Sequence, residues 1–201
     1  MIKHNFTIKE ILISAWHATK KNAWFLALMF FVSVTIMTVT RHTGIIGGLI
    51  NILIGISIIN ISLVIASGKT PNYLDTVSIF KNYKIFWHYL IASILCVIIV
   101  LGGLILFILP GIYLAVRLQF YKFLIVDDEN LRPVAALKKS MKMTKGHFWK
   151  LFGFILAIIL LNIVGLLVFI IGLAITIPVS VLATAFLYKK FAHAYESVAG
   201  A

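Results

Sequence analysis

Residues 90–109 read "LIASILCVIIVLGGLILFIL", twenty positions in a row without a charge. Strands of an outer-membrane barrel alternate apolar and polar residues in segments of about ten, and this run does not alternate. A helix needs about 20 apolar residues to cross a hydrocarbon layer of roughly 30 Å. The stretch therefore reads as a membrane-spanning helix, in which every backbone N–H and C=O finds a partner within the segment.

Further along in both directions the pattern recurs. Residues 23–40, 44–67, 86–109, 110–126, 147–171 and 173–188 are each nearly free of charge. In a chain of 201 residues that is 62% hydrophobic and 12% charged, six such runs predict an all-α, polytopic membrane protein with six transmembrane helices. A soluble domain must cover its surface with polar groups, and this composition excludes one. The whole chain, 1–201, is expected to form a single membrane domain.

The net charge of +12 would suggest nucleic acid in a soluble protein. In a membrane protein, Lys and Arg gather in cytoplasmic loops instead. Here they occupy the N-terminal segment (Lys3, Lys9, Lys20, Lys21), the 2–3 connection (Lys69, Lys81, Lys84), the 4–5 connection (Lys122, Arg132, Lys138, Lys139, Lys142, Lys145, Lys150) and the end (Lys189, Lys190). Only Arg41 and Arg117 fall off that side. The expectation is a multi-pass protein of the cytoplasmic (inner) membrane with both termini cytoplasmic and no nucleic-acid partner. The single cysteine, Cys96, permits neither an internal disulfide nor a cysteine-based metal site. A cationic amphipathic segment without a small-x-small cleavage site precedes the first run, which is expected to be an uncleaved anchor.

Three of the four tryptophans, Trp24, Trp87 and Trp149, recur at spacings of 63 and 62. Around them the columns Lys20/Tyr83/Lys145, Ala23/Phe86/Phe148, Ala15/Ser78/Ser140 and Ile8/Pro71/Pro133 partly agree. Together with the order of segments, they indicate a triplication with units at about 6–68, 69–130 and 131–194. Each unit reads as a short amphipathic helix, a tryptophan and two spans. In the third, Lys138, Lys139, Lys142 and Lys145 share one side of the helix and Val134, Ala136, Leu137, Met141 and Met143 the other, with Pro133 in the first turn, where its missing N–H does no harm. In the first, Ile8, Ile11, Leu12, Ala15 and Trp16 make the apolar face. The second, "PNYLDTVSIF" (71–80), is the least regular, with Ile79 off the face. Such helices lie in the membrane interface, where tryptophan rings also prefer to sit, so Trp24, Trp87 and Trp149 are expected to be interfacial anchors. Two spans per unit give repeats of one orientation, hence three hairpins in pseudo-threefold, parallel arrangement.

Few residues carry candidate chemistry. Arg117, in "LPGIYLAVRLQFYKF" (109–123), stands seven residues past Pro110 and ten before Asp127, which predicts a roughly mid-membrane position. An arginine there is a functional candidate by default. Either it bonds to backbone carbonyls freed near Gly102, Gly103 and Pro110 and locks the bundle, or it binds an anionic headgroup or substrate. With no acidic residue inside a span, Asn51, Asn60, Gln119 and Asn162 are its possible neutral partners. Asp127, Asp128 and Glu129 could in principle hold a divalent cation, although a solvated turn is the commoner use, and no metal or other cofactor is expected. The histidines lack metal-ligand spacing, and neither a nucleophile motif nor an intramembrane carboxylate suggests an enzyme. The lysines at 138, 139, 142 and 145 are expected to attract anionic lipid.

The stretch 109–156 carries Leu109-Pro110-Gly111, Arg117, Asp127-Asp128-Glu129, the Ala136-Leu137…Ser140 helix and Thr144-Lys145-Gly146…Phe148-Trp149. In these elements it resembles the YciC-like inner-membrane proteins and the membrane domain attached to some glycerophosphodiester phosphodiesterases. The resemblance implies six helices and a prokaryotic cytoplasmic membrane. It implies no activity, because the phosphodiesterase chemistry of those proteins resides in a separate soluble domain. Where such proteins carry tryptophan beside the Ser140 position, this chain has Met141.

The expected function is that of a non-enzymatic integral membrane protein in envelope or lipid homeostasis, or of a membrane-embedded partner of another protein or of its own copies. The alternative is a small transporter or channel, with Arg117 lining a central cavity. A cysteine introduced at Phe107 is expected to react with a membrane-impermeant reagent added outside; labelling from the cytoplasmic face alone would reverse the orientation.

Overall fold

In hydrocarbon, a backbone without internal partners is unaffordable, so the apolar runs have little choice but to be helical. The computed structural model describes residues 7–71 and 82–199, of which 169–171 and 198–199 are described by backbone alone. The described residues form nine helices and no strand. These are α1 (Ile8–Lys21), α2 (Ala23–Thr40), α3 (Ile45–Ala66), α4 (Tyr83–Leu106), α5 (Ile108–Leu118), α6 (Tyr121–Asp127), α7 (Pro133–Met143), α8 (Phe148–Leu167) and α9 (Phe169–Ala199). The expected helix over 71–80 lies outside the described residues.

Six stretches are long and apolar enough to cross a membrane: 23–40, 45–66, 83–106, 108–127, 148–167 and 172–197. The fourth is not one straight helix. It breaks at Gln119–Phe120 into α5 and α6, with no proline or glycine at the break. The turn between the third and fourth spans also differs from expectation. It falls at Phe107, which is extended (φ −162°, ψ 148°), rather than at Pro110. Pro110 is the third residue of α5, within the first turn, where its missing N–H is not needed. The last span carries Pro178 inside α9, where the ring removes one internal hydrogen bond.

Consecutive spans pair as α2 with α3, α4 with α5, and α8 with α9. Within each pair, burial is unequal. The first members have 17% of their most apolar window buried inside the protein, whereas the second members have 39%, 50% and 50%. The second helices therefore form the inner layer and the first helices face outward. The inner layer's largest fully buried side chains include Ile56 and Ile61 of α3, Leu118, Phe120, Leu124 and Ile125 at the α5–α6 break, and Leu182, Tyr188 and Phe191 of α9. Most of these lie toward the end where α1, α6 and α7 gather. At the far end the α4–α5 turn is bare, with Ile105, Leu106, Phe107, Ile108 and Leu109 all exposed.

The two short helices α1 and α7 each bury one stripe. In α1 it is Ile11, Ala15 and Thr19, packed on α9; in α7 it is Ala136, Leu137, Ser140 and Met143, packed on α4, α5 and α6. Two residues expected on these faces are exposed. Val134 points away because it lies about 200° round the helix from Ala136, and Trp16 stands at the rim with the Lys20 ammonium 5.0 Å from its ring.

Lipid tails are as apolar as leucine, so helices in a membrane associate through close packing rather than through escape from water. Each hairpin achieves that packing near its turn with a glycine early in its second helix. A Cβ on Gly47 would strike the carbonyl oxygen of Thr40, one on Gly111 would stand 2.8 Å from the backbone nitrogen of Leu104, and one on Gly172 would strike the carbonyl of Gly165. On the opposite side of the middle hairpin, a Cβ on Gly103 would lie 3.0 Å from the Gly111 Cα, while one on Gly102 would meet nothing within 4 Å. Gly103→Val is therefore expected to lower unfolding free energy in detergent by about 1–3 kcal/mol, and Gly102→Val to leave it unchanged. Equal effects from these neighbouring glycines would refute the close helix contact.

Candidate functional site

The break at Gln119–Phe120 has a chemical consequence. It leaves the last carbonyls of α5 without the N–H groups that a continuing helix would supply. The Arg117 carbonyl is one of these, and it accepts from the Ser140 hydroxyl at 2.9 Å, with the Thr144 hydroxyl also in range at 3.1 Å. Ser140 and Thr144 are wholly buried.

The converse holds at the end of α7. In a continuing helix the Lys145 N–H would bond the Met141 carbonyl; here it bonds the Lys142 carbonyl at 3.2 Å. The chain turns away at Gly146, whose φ of 83° lies in the left-handed region that glycine occupies without strain. The Met141 carbonyl accepts instead from the Arg117 guanidinium. Arg117 Nε donates to Thr144 Oγ1 at 3.2 Å, and a terminal nitrogen donates to the Tyr113 hydroxyl at 2.5 Å. The guanidinium also lies 5.3 Å from the Tyr113 ring centroid, within cation–π range. Backbone and side chain of one arginine thus close the ends of two helices at once. A cation at a helix C-terminus is favoured by the helix dipole as well.

Arg117 is 8% exposed. It stands midway along the fourth apolar stretch, 108–127, which is interrupted just after it at Gln119–Phe120, and two of its partners, Met141 and Thr144, lie at the end of α7. Neither carbonyls near Gly102, Gly103 and Pro110 nor the side chains of Asn51, Asn60, Gln119 or Asn162 appear among its hydrogen-bond partners; Asn162 instead donates to Ser180 Oγ at 2.9 Å. The grooves between α2, α3 and α9 and beside Arg41 and Asn51 are lined by other residues.

Of the three lysines on α7, Lys138 and Lys142 are exposed, as is Lys145 just beyond its end. Lys139 turns toward α9, with its ammonium 3.9 Å from Glu196 and 6.0 Å from the Tyr195 ring. The acidic trio diverges. Asp127 accepts from the Tyr188 hydroxyl at 2.8 Å and pairs with Lys189 at 2.9 Å, Asp128 accepts from the Asn130 N–H at 3.1 Å, and Glu129 accepts from the Asn82 amide. No cluster of three or more His, Cys, Asp or Glu suited to a metal occurs among the described residues. Trp24 and Trp149 are the second residues of α2 and α8, Trp87 is the fifth of α4, and the three are 85%, 79% and 53% exposed.

One residue of interest was not singled out by sequence. Lys122, expected in the 4–5 connection, lies inside α6 and within the fourth span. Its neighbours Phe120, Tyr121, Phe123 and Leu124 are buried, and it is itself half-buried. The apolar flanks were the available signal.

Replacing Arg117 by Leu removes the donors to Met141, Thr144 and Tyr113 together. At roughly 1.5–3 kcal/mol for a hydrogen bond to a charged group, the variant is expected to lose at least about 3 kcal/mol of stability in detergent. Arg117→Lys should recover only part, because an ammonium cannot span all three acceptors as the planar fork does. A Leu variant that melts with the parent would remove the clamp from the account of the fold.

No curated protein and no solved structure matches this chain. Residues 17–199, nearly the whole length, match the family described as "Domain of unknown function (DUF7847)", and the chain belongs to that family.

Proposed function

We propose that this is a non-enzymatic integral protein of the cytoplasmic (inner) membrane, with both termini cytoplasmic, that recruits anionic lipid through a basic helical face. It serves envelope or lipid homeostasis, or acts as the membrane-embedded partner of another protein. The observation that carries this reading is the mounting of α7. One face is held by Arg117, while Lys138, Lys142 and Lys145 project outward. A rigidly held cationic face attracts anionic lipid without first having to be ordered.

Several features support the finer architecture, three parallel hairpins each led by an interfacial helix. The alternation of outer and inner spans repeats three times. The close-packing glycines Gly47, Gly111 and Gly172 recur at nearly one period. The Asp127–Lys189 pair joins positions 62 apart, one repeat length. α1, which leads the first hairpin, packs on α9 of the third, and α7, which leads the third, packs on α4 to α6 of the second. That is one cyclic rule applied twice. The exposed tryptophans at the starts of α2, α4 and α8 fit interfacial anchors. A transporter built on Arg117 draws no support from its surroundings, since its guanidinium is engaged by protein groups at Met141, Thr144 and Tyr113.

The reading is tested by the triple change Lys138→Gln, Lys142→Gln and Lys145→Gln. In vesicles of mixed anionic and zwitterionic lipid, the parent is expected to enrich anionic lipid around itself. The variant should lose roughly 1 kcal/mol of attraction per charge removed. The difference should shrink as salt is raised, with thermal stability unchanged. Undiminished enrichment would defeat the proposal.

A further inference from the structure

Between the three hairpins lies a groove of about 330 Å³, at the lower end of ligand-binding volumes. Residues of α3, α4, α6, α8 and α9 line it, so it touches all three hairpins. Its walls are mainly apolar, with Ile58, Ile59, Ile158 and Val181 among them. Phe123 also contributes, and stacks on Tyr188 of the buried core with ring centroids 5.6 Å apart.

Two polar groups in this lining stand out. Lys122 is a cation inside a membrane span, and it has no carboxylate partner among the described residues. The two ion pairs found there are Lys139–Glu196 and Lys189–Asp127. Its ammonium stands 5.7 Å from the Tyr89 ring centroid and 5.8 Å from that of Tyr121. Tyr89 is 6% exposed, yet its hydroxyl makes no hydrogen bond among the described residues. By contrast, the Ser180 and Thr184 hydroxyls on the far wall already donate to the carbonyls of Thr176 and Ser180. Among the described residues, the groove thus holds an unpaired cation beside a hydroxyl without a partner, and no carboxylate lines it to oppose the charge. Lys122 lies five residues before the end of α6, about 7.5 Å deeper than Asp127. An unpaired charge at such depth is expensive, and an anion beside it would offset that expense.

We infer that this groove is a binding site for one anionic lipid, its head seated between the Lys122 ammonium and the Tyr89 hydroxyl and its acyl chain laid along Ile58, Ile59, Ile158 and Val181. Charge complementarity selects the anionic head, and the apolar walls favour a chain over a small hydrated ion. The site is separate from the lysine face of α7. It deepens the lipid-binding reading without depending on it.

Native mass spectrometry in mild detergent, with phosphatidylglycerol or phosphatidylcholine added, tests the inference. The parent should retain one phosphatidylglycerol in preference to phosphatidylcholine. Lys122→Gln should weaken that retention about tenfold, the loss of one charge-assisted contact. Tyr89→Phe, which removes only the hydroxyl, should weaken it by a smaller factor at an unchanged melting temperature, and serves if the lysine variant does not fold. The triple change at Lys138, Lys142 and Lys145 should leave this single lipid in place. If that triple variant loses it while Lys122→Gln keeps it, the groove is not the site, although the basic face still is. Retention unaffected by Lys122→Gln and Tyr89→Phe overturns the inference. So does stabilisation by inorganic phosphate alone equal to that by phosphatidylglycerol, since the occupant would then be a free anion.

Discussion

The reciprocal closure of two helix ends through Arg117 is the contact on which the arrangement of the other elements depends. A membrane protein cannot leave backbone carbonyls unmet in its interior, yet this chain breaks its fourth span at Gln119–Phe120 and ends α7 against the bundle. Each break creates orphan carbonyls, and one of each set, the Arg117 carbonyl and the Met141 carbonyl, is met by the other helix. Ser140 and Thr144 serve α5, and the Arg117 guanidinium serves α7. The cost of burying an arginine is met by acceptors that would otherwise be costly themselves. This explains why the charge is tolerated without an acidic partner.

With α7 fixed, the surroundings of the inner layer follow. α7 packs on α4, α5 and α6, and α6 carries the aromatic side chains that meet α9. Phe120 approaches Phe191 with centroids 5.5 Å apart, Phe123 stacks on Tyr188, and Asp127 holds both Tyr188 and Lys189. Polar and aromatic contacts thus concentrate at the end where the short helices lie. At the opposite end the hairpins depend on glycine-mediated approach and leave large aliphatic side chains exposed. Stability is expected to be distributed accordingly, greater around the clamp and lower toward the α4–α5 turn.

The short motifs noticed along the chain acquire physical roles here. In Thr144-Lys145-Gly146, Thr144 bonds across to Arg117, and Gly146 supplies the left-handed turn that frees the Met141 carbonyl. In Leu109-Pro110-Gly111, the proline occupies a first turn and the glycine admits Leu104. One setting is sharpened and one assignment changes. Arg117 keeps its place midway along the fourth apolar stretch, but α5 ends one residue after it and the end of α7 meets it there. Lys122 lies in a span and not in a connection, because α6 continues to Asp127.

Uninterrupted apolarity determined the helical class, the six spans and their approximate limits, since a backbone in hydrocarbon has no alternative to internal hydrogen bonding. Local chemistry also made the one-sided burial of α1 and α7 legible, because a 3.6-residue period converts spacing into a face. The partners of Arg117 were not legible. They lie 24 and 27 residues away on α7, and no periodicity encodes which orphan carbonyl a distant guanidinium will reach. The break at Gln119–Phe120 carries no proline or glycine to announce it. The meeting of Lys122 and Tyr89 over one groove required the packing of α4 against α6. Those choices belong to tertiary structure, because they are settled by contacts between elements that are remote in sequence.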